Sequence, residues 1–256
     1  DPLTHTLYLL VEGRQLRAFN IANRSWVVGP QEGVDVDASN CDGGQPCFSE
    51  LRWDAGSNAI VAFAIGFKKG TTNSVVQISP ATGGVEALID FPLNCGLFLQ
   101  SAAISSATGM LYAWIMCDPD NSRVAGAFDL RAKKMLPPVL NNTFADPWNP
   151  MVFIDRKIES GAASTSSVTG LIAVDSINAL SKIELKNNET TRLSNTLGGI
   201  PSNSGLCASE QGVAYVSVIK GMDTFLATVN LSSGQQEQVQ FSPNLLVAYL
   251  QYYAGD

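Results

Sequence analysis

"LRWDAGSNAIVAFAIGFKKGTTNSVVQISPATGGVEALIDF", Leu51 to Phe91, is the stretch that decides the fold. It opens with a short strand-like segment and turns through small residues into a continuous apolar run, Ala59 to Ile65. It ends in a hairpin of two further strand-like arms. The same parts return in the same order from Ser101 to Val139, "SAAISSATGMLYAWIMC…RVAGAFDLRAKKMLPPV", and from Gly205 to Phe241, "GLCASEQGVAYVSVIKG…FLATVNLSSGQQEQVQF". Recurrence at roughly fifty residues is the mark of a repeat architecture, in which one small unit buries its faces against its neighbours.

Working outward, the second strand of each unit is the easiest to align: Thr6 to Val11, Ala59 to Ile65, Met110 to Met116, Gly170 to Val174 and Gly212 to Ile219. These runs are nearly all apolar, as expected of a strand covered on both faces. First strands precede four of them ("ELRW", "SAAI", "MVFI", "GLCA"), and hairpins follow all five. The first unit lacks a first strand, and "LVAYLQYYAGD" at the other end of the chain is the segment expected to supply it. No stretch carries a sustained helical period.

This order of parts resembles the β-propeller superfamily, with blades similar to those of WD40-related and YVTN-like repeats. No Trp-Asp signature closes each blade, and no kelch double glycine or Asp-box accompanies it. The resemblance implies an all-β fold: a five-bladed β-propeller closed by the C-terminal strand completing the first blade. Residues 1–256 would form a single domain, with blades near 245–256 plus 1–29, 49–92, 100–140, 150–195 and 204–242. The Ser/Thr-rich "ESGAASTSSVTG" reads as an insertion in the first hairpin of the fourth unit.

The chain of 256 residues is 45% hydrophobic and 15% charged, with a formal net charge of -7. A negative chain gains nothing from counterion release, so nucleic acid is not an expected partner. The apolar runs are far shorter than the roughly 20 residues of a spanning helix, so membrane insertion is not expected either. The Asp1-Pro2 start fits a processed mature chain.

Four sequons, at Asn23, Asn141, Asn188 and Asn230, are candidate glycosylation sites. Asn23, Asn188 and Asn230 fall at or beside third-to-fourth-strand hairpins, a shared topological position. Cys41 and Cys47 flank "DGGQP" and read as a local disulfide, and Cys95 with Cys117 reads as a second. Cys207, inside a first strand, is expected to be a free, buried thiol. No Cys-x-x-Cys occurs and His5 is the only histidine, so neither a metal site nor a cofactor is expected.

In a propeller the second-to-third and fourth-to-first connections share one face, the top, and loops on a rigid scaffold concentrate binding. Asp118, Asp120 and Trp148 on that face are the candidate binding residues. Asp35, Asp37, Asp42 and Asp146 join the two aspartates in an acidic set that could serve calcium or simply make turns. Trp148 and Trp53 could stack on a sugar or pack between blades. Glu50, Asp155 and Glu210 are the carboxylates that a glycoside hydrolase would need. The expected function is that of a secreted, N-glycosylated extracellular binding or assembly module, whose partner is an extracellular protein or glycan, or further copies of the chain. A glycan-binding lectin, a structural subunit of a filament or matrix and a hydrolase are the alternatives, catalysis being the less favoured class.

Overall fold

A computed structural model describes residues 4–27, 33–42, 47–93, 95–117, 122–141, 151–158, 168–175, 177–184, 189–209 and 212–240. They form five antiparallel four-stranded sheets arranged in a ring, a five-bladed β-propeller. The second blade runs β5 (Phe48–Asp54), β6 (Ala59–Gly66), β7 (Thr72–Ile78), β8 (Val85–Phe91). The third holds β9 (Cys95–Ser105), β10 (Met110–Cys117), β11 (Ser122–Asp129) and β12 (Lys134–Asn141). The fourth holds β13 (Met151–Ile158), β14 (Val168–Val174), β15 (Ala179–Glu184) and β16 (Glu189–Thr196). The fifth holds β17 (Ile200–Ala208), β18 (Val213–Lys220), β19 (Asp223–Asn230) and β20 (Gln236–Gln240). In each, strands pair in chain order, and β5, β9, β13 and β17 meet one another as the innermost strands.

The first blade departs from this plan. β1 (Thr6–Val11) pairs with β2 (Gln15–Asn20), and two short pieces share the outer edge of β2. These are β3 (Ser25–Trp26), with Trp26 opposite Phe19, and β4 (Val34–Asp35), with Val34 opposite Leu16. Among the described residues no strand lies on the inner side of β1. The segment expected there, residues 246–256, lies outside the described residues.

The continuous apolar runs are explained by packing between blades. In β6, Ile60, Ala62 and Ala64 join Leu16, Val36 and Cys41 of the neighbouring core on one side. Val61 and Phe63 join Leu111, Ile115 and Phe128 of the third blade on the other. β10 does the same: Leu111, Ala113 and Ile115 face the second blade, while Tyr112 and Trp114 pack with Leu171 and Ala173 of the fourth. Alternation therefore sorts side chains between two buried faces instead of between core and water. Phe63 and Phe128 meet edge-on at 5.6 Å in the layer between blades two and three, and Tyr112 stacks on Phe153 at 5.3 Å in the next.

Candidate functional site

The two faces of the ring differ in chemistry. Eight large apolar side chains are exposed among the described residues. Five of them belong to second-to-third or fourth-to-first connections, or to the strand ends beside them. They are Ile65 at the end of β6, Leu93 between β8 and β9, Ile177 between β14 and β15, Ile200 at the start of β17, and Met222 between β18 and β19. Ile200 and Met222 are the most exposed of them, at 68% and 89%. A scattered exposed leucine or valine needs no explanation, but these five share one face of the ring. Sequence reading placed binding on this face through Asp118, Asp120 and Trp148, which lie outside the described residues, as does Asp146. It missed Ile177, Ile200 and Met222, although an apolar residue within a polar turn ("DSIN", "LGGI", "GMD") is the signal that marks them.

On the second blade this face is built around a buried amide. Asn73 accepts a hydrogen bond from the Gly66 N–H at 3.0 Å and donates to the Cys95 carbonyl at 3.1 Å. It thereby ties the turn after β6 to the loop before β9. The turn itself is left-handed: Gly66, Lys68, Lys69 and Gly70 all have positive φ, with Lys68 at 50° and Lys69 at 59°. Glycine adopts this region freely, whereas each lysine is strained there. Lys68 pairs with Asp90, which also accepts from Ser74 Oγ at 2.7 Å. Burial alone would raise the Asp90 carboxyl, but the Lys68 and Ser74 hydrogen bonds and the Lys68 charge outweigh it and lower it.

The disulfide loop leans on the same turn. Cys41 and Cys47 are bonded, their Cα atoms 5.8 Å apart. Lys69 N–H donates to the Asn40 carbonyl at 2.8 Å. Cys41 is buried with Val36 in the core between blades one and two, so this loop is a wedge as well as a surface. Arg14, Asp35, Val36, Ala38 and Ser39 line an open depression of about 440 Å³ beside it. Asp37 accepts from the Ser39 N–H at 2.9 Å, and hydrogen bonding from the Ser39 side chain, then from its backbone, holds the Asp37 pKa below the ordinary value. That is the turn-making use of aspartate. Among the described residues no three His, Cys, Asp or Glu side chains gather as metal ligands.

The innermost strand β5 carries a bulge. Ser49 lies opposite Phe63 and Arg52 opposite Val61, so Glu50 and Leu51 share one partner position. Glu50 sits there with φ at 52°, buried, its Oε2 accepting from Arg52 at 2.9 Å. Arg52 also donates from Nε to the Ala102 carbonyl of β9. The hydrolase reading needs a second carboxylate across from Glu50. Asp155 lies along β13, and Glu210 lies outside the described residues. Adjacent polar residues at Ser49-Glu50 break the strand's alternation, which is the sequence signal for the bulge. Trp53 stacks on Tyr8 at 5.4 Å, an inter-blade contact and not an exposed platform.

The opposite face holds the first-to-second and third-to-fourth hairpins. Asn23 and Asn230 are exposed there. In both sequons the hydroxyl two residues on donates to the asparagine Oδ1, Ser25 to Asn23 and Ser232 to Asn230, each at 2.7 Å. Asn141 is the last residue of β12, and Asn188 lies outside the described residues. Cys95 is engaged in a disulfide, and the β9–β10 register sets it directly opposite Cys117. Cys207 is a free thiol whose burial pushes its pKa up to about 12, leaving almost no thiolate at neutral pH.

No protein-family model and no curated protein matches the chain. Solved structures do. A structure of the nidogen/laminin complex matches with a TM-score of 0.53 at 9% identity, over 93% of this chain and 93% of that one. A putative TolB from Agrobacterium tumefaciens matches with 0.57 at 10% identity, over 91% and 76%. The calcium-binding protein regucalcin from Agrobacterium tumefaciens str. C58 matches with 0.52 at 10% identity, over 93% and 71%. At such identities the likeness is one of fold.

Proposed function

We propose that this chain is a secreted, N-glycosylated β-propeller that acts as an extracellular binding module, contacting a protein partner through its top face. The observation that carries this reading is that five of the eight exposed apolar side chains lie at the top connections, while the sequons Asn23 and Asn230 lie on the opposite face; Asn141, at the end of the fourth strand β12, lies on the top side. Glycans on Asn23 and Asn230 would solvate that opposite face. A Cys41–Cys47 disulfide suits an oxidising compartment, and we take Cys95–Cys117 as its companion. The match to the nidogen/laminin complex adds that a chain of this fold occurs in a protein–protein complex.

A photo-crosslinking amino acid placed at Met222 or Ile200, and separately at Arg24 or Ser233, tests the assignment in the extracellular fraction of the native source. Crosslinks to one defined protein are expected from the first pair and not from the second. Equal yields from both faces would overturn the top-face assignment. Unmodified Asn23 and Asn230 in the native protein would overturn the secreted-glycoprotein part.

A further inference from the structure

Among the described residues, each blade ends in an outer strand whose far edge pairs with no other strand, and folded proteins block such edges with prolines, bulges, charges or brevity. Four of the five outer strands here are blocked. β3 and β4 are two residues each. β8 is bulged opposite Val75 and Val76, and Glu86 is tied to Lys133 of the next blade. β12 is bulged and contains Pro137 and Pro138. β16 is bulged and carries Glu189 and Arg192.

β20 is short, at five residues, but it has neither a proline nor a bulge. Its register with β19 runs unbroken from Phe225 opposite Gln240 to Val229 opposite Gln236. "QEQVQ" contains no proline and a single charge, Glu237. Val239 is 63% exposed. The strand is tied to the end of the fourth blade by its own side chains: Gln236 Nε2 donates to the Asn195 carbonyl at 2.7 Å and Gln238 Nε2 to the Leu197 carbonyl at 2.6 Å. An unbulged edge is a ready template for pairing.

The sequence of this edge also suits itself. In an antiparallel pair centred on Gln238, Gln236 faces Gln240 and Glu237 faces Val239, so no carboxylates oppose each other. A two-fold contact of this kind is self-complementary. Asn230 closes β19 at the turn that leads into β20. Its Oδ1 accepts from Ser232 Oγ and from the Ser232 and Ser233 N–H groups. Its Nδ2, the atom that carries a glycan, makes no hydrogen bond among the described residues.

We infer that the free edge of β20 is a self-association site for a second copy of this chain, and that an N-glycan on Asn230 shields it. The shielding part rests on the secreted-glycoprotein reading above, whereas the edge itself does not. Full-length protein from a glycosylating host should sediment as a monomer at all concentrations. N230Q should shift toward twice the monomer mass as concentration rises, and N23Q, which removes a glycan elsewhere, should not. Adding Val239→Lys to N230Q should restore the monomer with an unchanged circular dichroism spectrum. Val27→Lys, at another exposed apolar position, should leave the association intact. An N230Q protein that stays monomeric, or one whose association survives Val239→Lys, overturns the inference. So does protection of β20 amides from hydrogen exchange in native extract but not in purified N230Q, because that result assigns the edge to a different chain. Peptide mapping of native protein reads the glycan separately. An unmodified Asn230 removes the shielding role and the glycoprotein reading, while the N230Q series still decides the edge.

Discussion

Arg131 reaches from the β11–β12 hairpin of the third blade to Asp54 at the end of β5 in the second. Its two terminal nitrogens donate to the two carboxylate oxygens at 2.7 and 3.1 Å. Asp54 is buried and also accepts from Ser57 Oγ at 2.7 Å and the Gly56 N–H at 3.1 Å, so one carboxylate fixes a turn and clamps two blades. Gly109 makes room for the clamp, since a Cβ there would lie 2.7 Å from Arg131 Cγ. Burial would raise the Asp54 pKa, but the hydrogen bonds from Arg131 and Ser57, the Arg131 charge and the Gly56 N–H together lower it. Arg131→Ala leaves that carboxylate unpaired. The full cost of breaking a buried pair, reduced because Arg131 is partly exposed, is about 1–3 kcal/mol. The sign of the pH dependence follows. A depressed carboxyl pKa contributes stability that is present above the ordinary value of 3.8 and lost as pH falls through the folded value. Thermal melts should therefore show a gap between wild type and Arg131→Ala at pH 7 that narrows on acidification below 3.8. A gap of constant size would show that the charge pair is not its source.

At the scale of elements, the left-handed turn after β6 gives a test in the unusual direction. Lys69 has φ at 59°, and its ammonium makes no ion pair among the described residues. Lys69→Gly relieves the strain at the cost of a more flexible unfolded chain, for a net gain of about 0.5–1 kcal/mol. Chemical denaturation reads the difference, and a loss of stability would mean that the Lys69 side chain packs in a way its backbone does not reveal. Elements also show what the sequence could and could not tell. The runs from Ala59, Met110 and Gly212 were legible as second strands because burial on both faces leaves them almost wholly apolar, with the buried Ser217 as an exception. The inner strands were harder to bound. β9 begins at Cys95 and β17 at Ile200, well before the "SAAI" and "GLCA" cores that mark them, because Gly- and Ser-containing segments extend them through pairing with β10 and β18. The role of the 36–47 loop was half legible. Its cysteines announced a bond, but the burial of Val36 and Cys41 between blades depends on neighbours that local sequence does not name. The top-face apolar residues were missed for a related reason: exposure is a property of the assembled ring.

The ring as a whole is stabilised by layers between blades, and four such layers are defined among the described residues, from blades one and two through blades four and five. Each layer needs both of its walls. The inner side of β1 has no strand among the described residues, Tyr8 leans on Trp53 of the next blade, and Leu9, on the face turned away from that blade, is 38% exposed. A first blade built on the same plan as the others therefore needs one more innermost strand, as β5, β9, β13 and β17 supply to the others. "LVAYLQYYAGD" has the apolar, aromatic composition for it and follows the last strand of the fifth blade. Pairing it with β1 would join the two ends of the chain, cover an open edge and complete a layer between the fifth and first blades. Deleting Leu246 to Asp256 should then do far more than trim a tail. The melting transition should fall by many degrees and lose cooperativity, and amide exchange should accelerate first in β1 and β2, then in β18 and β19. Truncated protein with wild-type melting and unaltered exchange in β1 would show that the first blade stands on three strands and that the ring is held shut by some other contact.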